Sequence, residues 1–210
     1  AVLRGLPPDG GLYVPLRPPA FRWPPPDRIP EGGDDLRHVA RWAAPLLFPS
    51  LSEPALRRVV EGALDFPVPI QEVEPGIWVL ELFHGPTHAF KDVGARFMAL
   101  LMTELDGGSE RRTVLVATSG DTGGAVASAF HGRSGYSVVT LFPRDGISER
   151  QRRQMTTLGD NVHALAVEGT FDDCQRMVKE AFADEELSLR HGLTSANSIN
   201  VARLLPQTLY

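Results

Sequence analysis

One lysine, Lys91, stands where an amine could act on a carbonyl group. Before it, an apolar run over residues 77–82 predicts a buried strand, and Gly85-Pro86 ends that strand because proline lacks a backbone donor. From Phe90 onward, apolar residues recur at three- and four-residue steps, which predicts an amphipathic helix with Lys91 in its first turn. The helix dipole, with partial burial, should favour the neutral amine, which is the form that attacks a carbonyl carbon.

The residues around Lys91 leave two interpretations open. A surface lysine paired with Asp92 is the more frequent outcome for an isolated lysine, and spacing alone favours it. The alternative is a Schiff-base site for a carbonyl cofactor such as pyridoxal phosphate. Thr87 is a candidate N-cap for the helix.

A second stretch, residues 118–124, joins the carboxyl end of a predicted strand to the start of a helix. Open α/β sheets bind ligands at such junctions, and glycines with successive N–H groups can form a nest for an anion. The spacing matches neither a dinucleotide fingerprint nor a P-loop. The residues alone leave an anion-binding loop and a tight structural turn evenly matched.

A third set, Asn197, Ser198 and Arg203, faces one way if a helix over residues 197–205 begins near Ser198. An amide, a hydroxyl and a guanidinium suit a phosphate group. A helix cap followed by an exposed arginine is the alternative, and spacing alone favours that alternative.

Metal and disulfide chemistry find little support in the sequence. His84 and His88 are four residues apart, but Gly85-Pro86 between them prevents the helix that would bring them onto one face. The single cysteine, Cys174, allows no disulfide within the chain and is expected to be a small core residue. We therefore predict no metal site.

The elements that must position these residues alternate along the second half of the chain. Predicted strands cover residues 113–117, 136–142 and 162–167, and predicted helices cover residues 123–131, 148–158 and 171–182. This alternation predicts an α/β fold, with a parallel sheet that carries helices on both faces.

The first part of the chain has a different composition. Residues 1–54 hold 12 of the 18 prolines, so extended segments and turns are expected there, including a turn at residues 8–11 and a short strand at 12–14. Helices are predicted over residues 36–48 and 55–63. We interpret this region as a covering layer, and the tryptophans at 23, 42 and 78 as packing residues.

Bulk properties exclude several classes of protein. The net charge of −5 over 210 residues argues against a nucleic-acid-binding face, and the basic run at 150–153 is expected to be a solvated helix face. No apolar run reaches the roughly 18 residues of a membrane span. The lone cysteine and the lack of a visible signal peptide fit the cytoplasm. The absence of an initiator methionine suggests that the native start is not included.

Four motifs, in this order along the chain, resemble those of threonine synthases, which are fold-type II pyridoxal-phosphate enzymes of the tryptophan synthase β type. The motifs are Pro8-Asp9-Gly10-Gly11-Leu12-Tyr13-Val14-Pro15, Phe83-His84-Gly85-Pro86-Thr87 with Ala89-Phe90-Lys91-Asp92, Ala117-Thr118-Ser119-Gly120-Asp121-Thr122-Gly123, and Ser195-Ala196-Asn197-Ser198-Ile199-Asn200. The resemblance implies an N-terminal subdomain over residues 1–76. It also implies a pyridoxal-phosphate-dependent α/β domain over 77–210, with an incomplete second domain and the cofactor-phosphate loop beyond the C-terminus.

The resemblance further implies an activity, the conversion of O-phospho-L-homoserine and water to L-threonine and phosphate by γ-elimination and β-hydration. Lys91 would hold pyridoxal phosphate and shuttle protons, and Asp121 would lie at the cofactor. The implied substrate-binding residues are Thr87, Thr118, Ser119, Gly120, Thr122, Asn197, Ser198 and Arg203. Some fold-type II relatives carry an asparagine at the position of Asp121 that donates to the cofactor's phenolic oxygen. A carboxylate cannot donate there unless it is protonated.

Two alternatives to this activity stay open. A related phospho-lyase would release phosphate without productive hydration and give 2-oxobutyrate. The chain could also be a catalytically inactive N-terminal fragment of the synthase. The sequence does not distinguish a monomer from a homodimer.

Overall fold

Four parallel strands form the central sheet of the protein. The computed structural model describes residues 1–5, 7, 11–17, 35–107 and 110–210. The strands are β3 (Arg112–Ala117), β4 (Tyr136–Pro143), β5 (Val162–Val167) and β6 (Leu193–Ser195), hydrogen-bonded in the order β5-β4-β3-β6. All their carboxyl ends therefore lie at one edge of the sheet, where loops can converge on a ligand.

Helices cover both faces of this sheet. On one face pack α3 (Lys91–Asp106), α4 (Asp121–Phe130) and α5 (Glu149–Thr156), and on the other packs α6 (Phe171–Ala183). Side chains of β3 alternate between the two faces: Val114 and Val116 join the first core, and Leu115 and Ala117 join the second. The predicted α/β fold with helices on both faces is confirmed.

Helix α3 is the structural centre of the first core. Val93, Phe97 and Leu101 recur along one side and have no exposed surface, which confirms the predicted amphipathic helix. Lys91 is its first residue. Phe90 lies just outside the helix and is 45% exposed, so it does not belong to the buried stripe.

The first part of the chain contributes two helices to the same core, α1 (Asp35–Leu47) and α2 (Glu53–Ala63), as predicted within a few residues. Phe48, which follows α1, stacks on Phe97 with ring centroids 5.9 Å apart. Buried Cys174 packs in the second core, as expected.

The predicted buried strand at residues 77–82 is wrong. Strand β2 (Ile77–Leu80) pairs only with β1 (Ile70–Glu74), in an antiparallel hairpin whose side chains are mostly exposed. Trp78 is 60% exposed, so its predicted packing role is also wrong, whereas Trp42 is half-buried against the core. An apolar run alone cannot tell a core strand from a ribbon that stands off the sheet. The proposed domain boundary after residue 76 falls in the turn of this hairpin.

Other differences lie near the two ends of the chain. No strand forms at residues 12–14 among the described residues 11–17, where Leu12 and Val14 are well exposed. The motif residues 8–10, Trp23 and the proline runs at 18–19 and 24–26 lie outside the described residues.

Near the other end, the predicted helix over 197–205 begins only at Val201. Helix α8 (Val201–Leu204) is capped by Asn200, whose side chain accepts from the N–H of Ala202, and a 3₁₀ helix (Leu205–Leu209) follows it. Residues 197–200 form a turn instead of a first helical turn. Helix α7 (Glu185–His191) and the three-residue strand β6 escaped prediction because neither carries a long periodic apolar pattern.

None of the helices in the described residues has the length and apolar character needed to span a membrane.

Two leucines one helical turn apart on α3 test how far this helix supports the core. Leu101 has no exposed surface, whereas Leu105 is 39% exposed. We expect Leu101→Ala in the complete protein to lower the free energy of unfolding by about 2–5 kcal/mol, because it leaves a cavity. Leu105→Ala is the matched control, with an expected loss below about 1 kcal/mol. Denaturant unfolding of both variants measures the difference; equal losses would contradict this account of the core.

Candidate active site

The amine of Lys91 lies at the carboxyl-end edge of the sheet. Its side chain is 22% exposed, and its Nζ atom lies 3.3 Å from Oδ2 of Asp121 and 4.3 Å from the ring centroid of Phe90. The first turn of α3 thus directs the amine towards the loop that follows β3. The alternative pairing with Asp92, which spacing alone favoured, is wrong.

Asp92 instead fastens the segment that precedes α3. Its buried carboxylate accepts from the backbone N–H of Thr87 at 2.9 Å and from the Thr87 hydroxyl at 2.7 Å. A Cβ atom on Gly85 would lie 2.5 Å from Oδ2 of Asp92, so only glycine leaves room for this contact. The prediction that Thr87 is the N-cap of α3 is wrong, because Phe90 occupies that position and Thr87 bonds to Asp92.

The loop between β3 and α4 is shaped from inside by Thr118. This threonine is 1% exposed, and its hydroxyl accepts from the N–H groups of Gly120 and Gly123 at 2.9 and 2.8 Å. Gly120 has a φ of +136°, which only glycine adopts readily. Ser119 and Thr122 are left at the surface of the loop, facing the cleft described below.

Asp121 accepts donors on both carboxylate oxygens. Nε2 of Gln151 donates to Oδ1 at 2.8 Å, and Lys91 donates to Oδ2. The hydrogen bond from Gln151 and, secondarily, the charge of Lys91 lower the pKa of Asp121, and partial burial opposes them. Asp121 is therefore ionised at neutral pH and acts as an acceptor.

Arg203 is buried, which overturns the alternative of an exposed arginine. It is 3% exposed, and its Nη1 donates to the carbonyl of Ala196 at 2.8 Å. Its Nε atom has no hydrogen-bond partner among the described residues. Burial lowers the pKa of Arg203, whereas the electrostatic interaction with Tyr210 raises it. A buried guanidinium with an unused donor can accept an anion as a partner, because an unmet buried donor is costly.

These residues surround one cleft of about 440 Å³. Seven of the residues predicted for the site line it: Lys91, Thr118, Ser119, Thr122, Asn197, Ser198 and Arg203. Asp121, Gly120 and Thr87 do not line it: Asp121 contacts Lys91, Gly120 takes a φ of +136° within the loop, and Thr87 bonds to Asp92.

Sequence reasoning missed several residues of this region. Phe171 and Gln175 of α6 and Gln207 of the 3₁₀ helix also line the cleft, and Gln151 holds Asp121. The only advance signal for Gln151 was its place three residues after Ser148, typical of a capping box, which concerns the helix end and not the site.

The histidines near the motif have other partners. His84 lies 2.6 Å from a carboxylate oxygen of Glu81, and His88 lies 3.2 Å from the carbonyl of Phe83. Within the described ranges, no group of three or more histidine, cysteine, aspartate or glutamate residues could hold a metal ion.

The donor set fits a ligand that carries an aldehyde and acidic groups. Lys91 presents an amine in the cleft, and Arg203 presents a buried cationic donor with spare capacity. Residues 65–204 match the model of a protein family described as "Pyridoxal-phosphate dependent enzyme". The chain belongs to this family.

Within the family, the chain is similar to threonine synthases. It is 44% identical to the threonine synthases of Serratia marcescens and Escherichia coli (strain K12) over all of its 210 residues. The crystal structure of threonine synthase from Escherichia coli superimposes with a TM-score of 0.88, and the pyridoxal-phosphate-bound threonine synthase from Brucella melitensis, 41% identical, with 0.86. Each comparison covers 100% of this chain but only 46–49% of the relative, so the chain spans about half the length of these relatives.

A pair of variants separates the two roles considered for Thr87. We expect Thr87→Val in the complete protein to lower the free energy of unfolding by about 1–3 kcal/mol, because Asp92 loses a buried donor. Thr87→Ser keeps the hydroxyl and is the control. Thermal or denaturant unfolding measures the loss. Unchanged stability combined with a raised KM would place the hydroxyl at the substrate instead.

Proposed function

We propose that this chain supplies the catalytic lysine and the substrate-binding loops of a threonine synthase, which converts O-phospho-L-homoserine and water to L-threonine and phosphate. The observation that carries the proposal is the common cleft. Lys91, the loop after β3 and the turn after β6 lie far apart in the sequence, yet all three line it. The 44% identity to threonine synthases over the whole chain supports the same activity.

Lys91 is the proposed catalytic residue. Pyridoxal phosphate, when bound to this amine, supplies an electron sink for carbanion chemistry at the substrate. When it is not bonded to the cofactor, the Lys91 amine would move protons at the α and β carbons of the substrate, as a general base and then a general acid. Its position at the start of α3, 22% exposed, keeps the amine within the cleft and mostly shielded from solvent.

The loop after β3 is the proposed binding site for the substrate carboxylate. Ser119 and Thr122 present hydroxyl groups at the cleft, next to the amino terminus of α4, whose dipole favours an anion. Thr118 and Gly120 give the loop its shape. Thr87 enters the proposal through its bond to Asp92, which positions the start of α3.

The substrate phosphate is proposed to lie against Asn197, Ser198 and Arg203. The buried Nε donor of Arg203 has no partner among the residues that the structure describes, and Asn197 and Ser198 line the same cleft. Cationic and neutral donors held in place stabilise the negative charge that develops on a departing phosphate.

A cytoplasmic location belongs to the same proposal. Its support is the low cysteine content, one in 210 residues, which fits a reducing compartment.

The first test uses the two lysines of this chain. After incubation with pyridoxal phosphate and reduction by borohydride, we expect mass spectrometry of the complete protein to find the label on Lys91. Lys91→Ala should abolish both the label and threonine formation, because no other described residue brings an amine to the cleft. Lys179→Ala, an exposed lysine on α6, is the matched control and should retain both.

Product analysis of the same reaction decides between threonine and 2-oxobutyrate. Threonine with one equivalent of phosphate is the expected result. Formation of 2-oxobutyrate without threonine would identify a phospho-lyase, and labelling elsewhere than Lys91 would overturn the assignment of the site.

The second test concerns the phosphate site. Arg203→Lys keeps the charge but removes the Nε donor and the planar fork, so we expect kcat/KM for O-phospho-L-homoserine to fall by about 10- to 100-fold. Inhibition by inorganic phosphate should weaken in parallel. Arg190→Lys, at an exposed position at the end of α7, is the control. A loss of activity with unchanged inhibition by phosphate would contradict this role.

A further inference from the structure

We infer that Gln151 is a positioning residue for the site: its amide N–H fixes the carboxylate of Asp121 so that the other oxygen faces the amine of Lys91. Gln151 lies on α5, outside the four motifs that resemble threonine synthases, and does not line the cleft. Its catalytic consequence rests on the proposed function, whereas its contact with Asp121 does not.

Both the oxygen and the nitrogen of the Gln151 side-chain amide form hydrogen bonds. Its Oε1 atom accepts from the N–H and the hydroxyl of Ser148, each at 3.0 Å, as the N3 residue of the capping box of α5. Because a backbone N–H can only donate, the oxygen must face Ser148 and the nitrogen must face Asp121. The helix cap therefore decides which end of the amide meets the carboxylate.

The loop after β3 leaves space for this contact through Gly120. A Cβ atom at this position would come within 2.4 Å of both Cδ and Nε2 of Gln151. Any larger residue would push the amide away from Asp121. Gly120 is thus needed for its missing side chain as well as for its φ of +136°.

Neighbouring side chains of α5 fasten the same helix to both loops around Lys91. Nε2 of Gln154 donates to the carbonyl of Thr87 at 3.0 Å, and buried Met155 packs against Gly123, where a Cβ would lie 2.5 Å from its sulfur. Gln151, Gln154 and Met155 share one side of the helix at three- and four-residue spacing. Helix α5 therefore connects the segment before α3 to the loop after β3.

Gln151 is a neutral partner of Asp121. The titratable partner, Lys91, faces Asp121 from α3. On α5, Arg152 and Arg153 both pair with Glu149, which directs these three charges to one another at the surface. Without the N–H of Gln151, Asp121 would lose one of the two side-chain donors found for it in the described part of the chain, and its carboxylate could turn away from the amine.

The sharpest variant is Gln151→Glu. Glutamate is an accepted N3 residue of a capping box, so the cap of α5 is retained, but an oxygen replaces the donor to Asp121. Two carboxylates then share one site, which raises the pH at which one of them takes up a proton. We expect the titration midpoint of Asp121 to rise by about one pH unit or more.

The first readout is the carboxyl ¹³C NMR titration of the complete protein without cofactor, in which Asp121→Asn identifies the signal. The second is the pH profile of kcat/KM, whose acid limb should move upward with the same midpoint. At neutral pH, kcat should fall by about tenfold, the worth of one charge-assisted hydrogen bond, with a smaller change in KM. Arg150→Gln, exposed on the same helix, is the matched control for both readouts.

An unchanged titration of Asp121 in Gln151→Glu would overturn the inference. If that variant does not fold, as judged by thermal unfolding, Gln151→Met replaces it, with the same expected direction because the donor is lost. The NMR titration needs neither cofactor nor substrate. It therefore decides the inference even if the complete protein makes no threonine, an outcome that would count against the proposed function alone.

Discussion

The buried carboxylate of Asp92 is the constraint on which the geometry of the site depends. A polar side chain that is 1% exposed must be paired with donors, and here both come from Thr87, five residues earlier. The pairing closes the segment between β2 and α3 into a fixed turn, which Gly85 makes possible by having no side chain. Lys91 is the immediate neighbour of Asp92, so the direction of its amine follows from a contact that it does not itself make.

The parallel sheet supplies the rest of the arrangement. The loop after β3 and the turn after β6 leave adjacent strands at the same edge, because parallel neighbours share the direction of their carboxyl ends. Residues separated by about eighty positions, such as Ser119 and Ser198, thereby line one cleft with Lys91. The fold thus brings an amine, two hydroxyl-bearing loops and a buried guanidinium to one place with short connections.

Much of this could be predicted from sequence, for identifiable reasons. Strands β3, β4 and β5 are apolar runs bounded by turns, and α3 has a clear helical period, so the bounds of the three strands and the start of α3 were predicted within about one or two residues. The exposed hairpin of β1 and β2 was not foreseen, because Ile77 and Trp78 are as apolar as core residues. Local pattern also could not show that Thr87 serves Asp92 or that Arg203 is buried, since both depend on neighbours brought together by the fold.

The sequence left open whether Asp121 carries a proton, and its two hydrogen-bond donors decide this question. An ionised carboxylate that accepts from Gln151 on one oxygen and from Lys91 on the other offers no hydrogen of its own. An asparagine at the same position would present an N–H donor. An aspartate therefore requires a neighbouring donor, whereas the amide N–H of an asparagine requires a neighbouring acceptor. The aspartate and Gln151 are therefore best understood as one unit. The glutamine has to donate because the residue it holds cannot, and the cap of α5 keeps it turned the right way.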